Sequence, residues 1–107
     1  AMDFGAMNDL VKQAQEMQKR ISEMQTQLAG RTVSATAGGG MVTVTANGAS
    51  ELVSIRMERE IVNPDDPDML CDLVLAAANE ALKKAQAMVA QEMSQLTGGL
   101  NLPGLFK

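Results

Sequence analysis

Thr32-Val33-Ser34-Ala35-Thr36-Ala37, then Gly38-Gly39-Gly40, then Met41-Val42-Thr43-Val44-Thr45-Ala46 with Asn47-Gly48 behind it: apolar and hydroxyl side chains alternate on both sides of a glycine triplet. A period of two belongs to half-buried strands, whose successive side chains point to opposite faces. The triplet separates two such strands, and Asn-Gly is a type I′ hairpin signal that leads into a third. Leu52 to Met57 supplies it, with Val53, Ile55 and Met57 on one face and Leu52, Ser54 and Arg56 on the other. Strands at about 31–37, 41–47 and 51–58 thus form a three-stranded antiparallel meander. One face is apolar; the other, rich in Thr and Ser, can sit in water.

On either side of the meander the period lengthens. Met7, Leu10, Ala14, Met17, Ile21, Met24 and Leu28 are spaced 3, 4, 3, 4, 3, 4, a heptad seam among good helix formers with no Pro or Gly from Ala6 to Ala29. This predicts a helix over about 7–29, with Asn8 as N-cap and Gly30 as the stop. Downstream, Asn63-Pro64-Asp65-Asp66-Pro67-Asp68 breaks the chain and starts a second helix. Asp66 can cap it, Pro67 suits the first position, and Asp68 and Asp72 favour the positive end of the dipole. That helix runs over about 67–97. Its first half, Met69 to Ala78, is apolar nearly all round and is expected to lie buried on the sheet. Its second half narrows to Ala78, Leu82, Ala85, Val89, Met93 and Leu96. Gly98-Gly99 ends it, and 98–107 is an apolar tail.

The fold class is therefore α+β, a single α-β-β-β-α domain over 1–107 with two long helices. A helix of about 30 residues measures roughly 45 Å. A compact chain of about 100 residues has a radius of gyration near 13 Å, a sphere roughly 34 Å across. The second helix does not fit inside its own domain, so part of it must project with an apolar stripe that needs cover. The first helix can offer one seam, but helix flanks and sheet edges remain, both of them association hazards. A symmetric homodimer in which sheets join and helices cross would bury them. Leu10, Met17, Ile21 and Met24, with Leu82 and Val89, are the candidate seam.

Composition removes most chemistry. The 107 residues hold no His, Trp or Tyr, one Cys and nine Met. Without His the commonest general base and transition-metal ligand are gone. Cys71 has no His to activate it and, as the one cysteine, allows no intramolecular disulfide, which suits a reducing cytosol. Met7, Met17 and Met24 fall on the first helix's seam and Met88 and Met93 on or beside the second helix's stripe, where Met fills gaps rather than forming a soft-metal site. Gly38-Gly39-Gly40 lacks the Lys-Ser/Thr and helix that a phosphate loop needs. The Asp65, Asp66, Asp68, Asp72 group lacks the spacing of a calcium loop. The longest wholly apolar run, Leu73 to Ala78, is far short of the roughly 20 residues of a membrane span. No segment at the N-terminus reads as a signal peptide, and Ala1 ahead of Met2 reads as an expression remnant. The expectation is a cytoplasmic, non-enzymatic protein with no catalytic residues, metal, cofactor or small-molecule substrate.

The basic residues carry the remaining option. Lys12 and Lys19 share a helix position seven apart with Arg20 beside them, and Lys83 and Lys84 are adjacent in the second helix. Positive side chains on a projecting rod can contact phosphates. Against this, Lys12/Glu16, Glu16/Arg20 and Lys19/Glu23 stand at i,i+4 and would offset one another as an ordinary solvated face. No Tyr or Trp is present to stack on bases. From the residues alone, a coiled-coil-like dimer that binds another protein's helix is the competing reading.

Four motifs in register then carry a resemblance. Lys12-Gln13-Ala14-Gln15-Glu16-Met17-Gln18, Gly40-Met41-Val42-Thr43-Val44 closed by Asn47-Gly48, Asp72-Leu73-Val74-Leu75-Ala76-Ala77-Ala78-Asn79-Glu80-Ala81, and Gly98-Gly99-Leu100-Asn101-Leu102-Pro103-Gly104 resemble the YbaB/EbfC family of bacterial nucleoid-associated proteins. The resemblance implies a tweezers-like homodimer with helical arms on a shared sheet core. It also implies DNA binding with lax sequence preference, a nucleoid location and an influence on gene expression. Lys12 stands where the family's Lys-Gln-Ala-Gln motif places a lysine, and Lys83-Lys84 where members often have a basic pair; Lys19 and Arg20 are further candidates. The chain departs from members that begin with a Lys-containing Gly-rich segment. At −4 per chain, twice −4 gives a dimer of −8, so contact would depend on local positive patches.

Overall fold

The computed structural model describes residues 4–98, with the side chains of 97 and 98 left out; the tail expected beyond them lies outside the described residues. The order is α1 (Phe4–Ala29), β1 (Thr32–Ala37), β2 (Val42–Asn47), β3 (Leu52–Met57), a 3-10 turn (Arg59–Ile61) and α2 (Pro67–Gly98). The sheet is antiparallel throughout, in the order β1-β2-β3. The α+β meander expected from the alternation is therefore what the chain forms.

Packing is one-sided. Helix α2 lies across β1 and β2 and scarcely reaches β3. Ala77, Ala81 and Ala85, one turn apart on α2, are buried against Ala35 of β1 and Val42, Val44 and Ala46 of β2. Three alanines in a row let the helix axis come close to the valines beneath it, so a core without aromatics still closes. Asp66 caps α2 by accepting from the Met69 backbone N–H at 3.2 Å. With 32 residues, α2 is roughly 48 Å long against roughly 20 Å for a six-residue strand. It overhangs the sheet, as the length argument requires.

Several expectations fail. Helix α1 is already formed at Phe4, so Asn8 lies inside it and caps nothing; Gly5 costs only about 1 kcal/mol and does not stop it. Asn47-Gly48 is not a type I′ turn, because the residue with positive φ in that loop is Ser50. Asn47 is instead a buried organiser: its Oδ1 accepts from the Ala49 and Glu51 backbone N–H groups at 2.9 and 3.1 Å, and its Nδ2 donates to Glu51 Oε1. Gly48 is needed for proximity. A Cβ there would strike the Leu28 carbonyl, to which the Gly48 N–H donates at 3.1 Å. That contact fixes the root of α1. The apolar face of the meander is not fully buried either, and a bulge at Val53 puts Leu52, expected with Ser54 and Arg56, opposite buried Ala46 instead: Leu52, Ile55 and Met57 are 44%, 47% and 40% exposed, because α2 stops short of β3. Along Met69 to Ala78, Cys71 and Leu75 are exposed for the same reason.

The seam of α1 is bare over its first half. Leu10 is 53% exposed; Met17, Ile21 and Met24 are half-buried, and only Leu28 is buried. α1 shares no extensive packing with the other elements. The molecule measures 76 × 27 × 17 Å with a radius of gyration of 20.9 Å, against about 13 Å for a compact chain of this size. The limb that leaves the body furthest is thus α1. On α2, Leu82 and Val89 are half-buried along the stripe.

Candidate nucleic-acid interface

Helical geometry spreads the cations along the molecule. Lys12, Lys19 and Arg20 are exposed on α1, roughly 14 to 26 Å beyond its root at Ala29. None of the i,i+4 pairs expected to offset them is closed: the ion pair among the described residues is Arg31 to Glu92, 3.1 Å, joining the start of β1 to α2. Gln13, Glu16, Met17 and Arg20 border a shallow depression on the limb. Its walls mix both charges and an apolar base, which suits a groove for a partner as well as a phosphate.

Lys83 and Lys84 sit lower, on the body, and their adjacent positions give them different surroundings. Successive residues of a helix point about 100° apart, and only Lys84 faces the sheet edge. Its Nζ donates to the Ser34 backbone carbonyl of β1 at 3.0 Å. An ammonium has three donors, so the charge stays available while one of them closes the edge. Lys83 is exposed and borders an open hollow with Ala76, Asn79, Glu80, Leu82 and Gln86. Within one chain the two groups of cations are not brought together.

At the opposite edge lies an apolar trough of about 420 Å³, lined by Met57, Leu70, Cys71, Val74, Leu75 and Ala78. On β3, the strand that supplies Met57, Leu52, Val53 and Ile55 are also exposed. Only part of this patch was legible in the alternation, which does not say which strand the helix leaves bare. Arg56 reads in the sequence as one more water-facing position, and its setting emerges only from the cross-strand register. Among the described residues, no group of three or more His, Cys, Asp or Glu could hold a metal ion, and no helix is long and apolar enough to cross a membrane.

A one-sided sheet and an outstretched limb carrying exposed Lys12, Lys19 and Arg20 leave long open surfaces on the described residues. The family model described as the YbaB/EbfC DNA-binding family matches residues 4–100, and the chain belongs to that family. It is 56% identical over 100 residues, covering 94% of this chain and 90% of the relative, to a nucleoid-associated protein of Thermoanaerobacter pseudethanolicus. It is 54% identical over 102 residues to a nucleoid-associated protein of Pelotomaculum thermopropionicum, covering 95% and 97%. A crystal structure of an uncharacterized protein from Helicobacter pylori shares the fold, with a TM-score of 0.64 at 24% identity over 94% of this chain and 98% of that one.

Proposed function

We propose that two copies associate through β3 and the trough beside it, and that the homodimer binds duplex DNA with little sequence preference through cations on its helices. Lys12, Lys19 and Arg20 on α1 and Lys83 and Lys84 on α2 are the contacting residues. Leu10, Met17, Ile21 and Met24, with Leu82 and Val89, form the apolar seams along which helices of the two copies meet. The setting is the nucleoid in the bacterial cytoplasm, where such binding bears on nucleoid organisation and gene expression.

The observation that carries the reading is the state of the limb. Lys12, Lys19 and Arg20 are exposed and form no ion pair among the described residues, although Glu16 and Glu23 stand one turn away. In a family of DNA-binding proteins, cations held out on a rod are placed for phosphates. Phosphate contacts position a protein without reading sequence. The acidic total keeps the number of contacts small.

Gel-shift titration of unrelated duplexes at low salt tests this, with light scattering alongside. Wild-type protein is expected to shift all of them within a few-fold of one another, with dissociation constants of roughly 1–100 μM, and to weigh twice 11.3 kDa. The double change Lys12→Glu/Lys19→Glu is expected to weaken binding at least about tenfold. A single-chain mass, or no shift at about 100 μM, refutes the reading.

A further inference from the structure

Cross-strand register assembles two rows of side chains on the sheet face opposite α2. Thr36 of β1 lies opposite Thr43 of β2, which lies opposite Arg56 of β3. One step along, Ser34 lies opposite Thr45, which lies opposite Ser54. Ser34 Oγ and Thr45 Oγ1 are 2.8 Å apart. Every position in both rows is exposed or half-buried, so among the described residues no element covers this face. The first row ends on the Arg56 guanidinium. The second ends at the β1 edge, where Lys84 Nζ sits 3.0 Å from the Ser34 carbonyl.

The rows hold five hydroxyls and a guanidinium, with an ammonium at the border and no carboxylate. That is unusual in a chain with thirteen acidic and nine basic residues. Glu51 and Glu58 flank β3 in sequence. Glu58 stands on the rim of the depression that Arg56 shares with Thr43, and Glu51 is held by the Asn47 side chain. Hydroxyls and guanidinium groups are what protein surfaces use to hold phosphate oxygens. Strands rise about 3.3 Å per residue and lie about 4.8 Å apart, so the rows present donors on a regular grid with a cation at each side.

We infer that this uncovered face is a second contact surface for the sugar-phosphate backbone of duplex DNA, with Arg56 as its principal phosphate ligand and Lys84 as its border cation. The inference rests on the DNA-binding reading above and adds residues of the sheet to those of the helices. It gives Lys84 two simultaneous tasks, closing the β1 edge and facing the duplex. Hydroxyls carry no charge, so the face contributes orientation, and Arg56 contributes most of the salt dependence.

Fluorescence anisotropy with a short labelled duplex, repeated over a range of salt concentrations, tests it. Arg56→Glu is expected to weaken binding at least about fivefold and to lower the slope of log affinity against log salt by about 2, at roughly 0.9 per phosphate contact and one contact per protomer. Arg56→Lys is expected to keep most of the slope. Because β3 is also the proposed dimer edge, Thr36→Glu on β1 serves as the second variant and is expected to weaken binding at least about threefold with the dimer mass unchanged. If Arg56→Glu and Thr36→Glu bind like wild type while Lys12→Glu/Lys19→Glu does not, the sheet face is no DNA surface and the helix reading stands. If wild-type protein binds no duplex, both readings fall.

Discussion

At the β1 edge of the sheet, the Lys84 ammonium caps the Ser34 carbonyl, Arg31 pairs with Glu92, and α2 presses on the strand. At the β3 edge, six consecutive residues from Leu52 to Met57 are exposed, and no side chain among the described residues caps the outward backbone. Exposed edges with apolar faces invite pairing, and chains that must stay single blunt them with charges or cover. Here one edge is blunted and the other is not. The asymmetry is the structural argument for a partner on the β3 side: the means of closing an edge are present in this chain and are spent on one side alone. The bulge between Thr45 and Ala46, which leaves Val53 as the extra residue of β3, adds twist without removing the apolar surface.

The largest effect is expected from attacking the open side. Ile55→Glu changes a half-exposed residue, so the single chain keeps its fold. A carboxylate placed in an apolar contact between copies is expected to weaken the dimer at least about 100-fold, close to 3 kcal/mol. Sedimentation equilibrium reads it, and an unchanged dimer would remove β3 from the interface. On the closed side the reverse holds. Val44 is fully buried under α2, so Val44→Ala is expected to cost about 2 kcal/mol of unfolding free energy in urea, with a cavity that the alanine row of α2 cannot fill. A loss below about 0.5 kcal/mol would mean that the helix and sheet are less closely packed than their geometry indicates. The smallest effect sharpens the comparison. Lys84→Met keeps the aliphatic stem and removes the cap on Ser34, for an expected loss of about 0.5–1 kcal/mol. It also bares the β1 edge, so light scattering should show association beyond the dimer. Identical stability and mass would make the 3.0 Å contact incidental.

How far these features were legible follows from where their causes lie. Local causes were readable: the Thr/Val alternation gave both strands of the first hairpin, and Asp66-Pro67 marked the start of α2, confirmed by its cap. Causes that depend on distant residues were not. Asn-Gly pointed to the wrong turn because Gly48 answers to Leu28, twenty positions upstream, rather than to its own loop. Lys83 and Lys84 are indistinguishable as neighbours in the sequence, yet one reaches a strand and the other does not. The exposure of Ile55 depends on where α2 comes to rest, which no periodicity within β3 records. The membership of Arg56 in a row with Thr43 and Thr36 needs the register of three strands at once.

The clamp of Leu28 on Gly48 has a mechanical consequence. With 26 residues, α1 is a boom roughly 39 Å long, anchored where the Leu28 carbonyl accepts from the Gly48 N–H. A pivot of about ten degrees at that anchor swings the far end by roughly 7 Å, about the width of a DNA minor groove. In the proposed homodimer the gape between two such booms is governed from a loop far from their tips, and a change of one methyl group at position 48 should be felt there as a difference in reach.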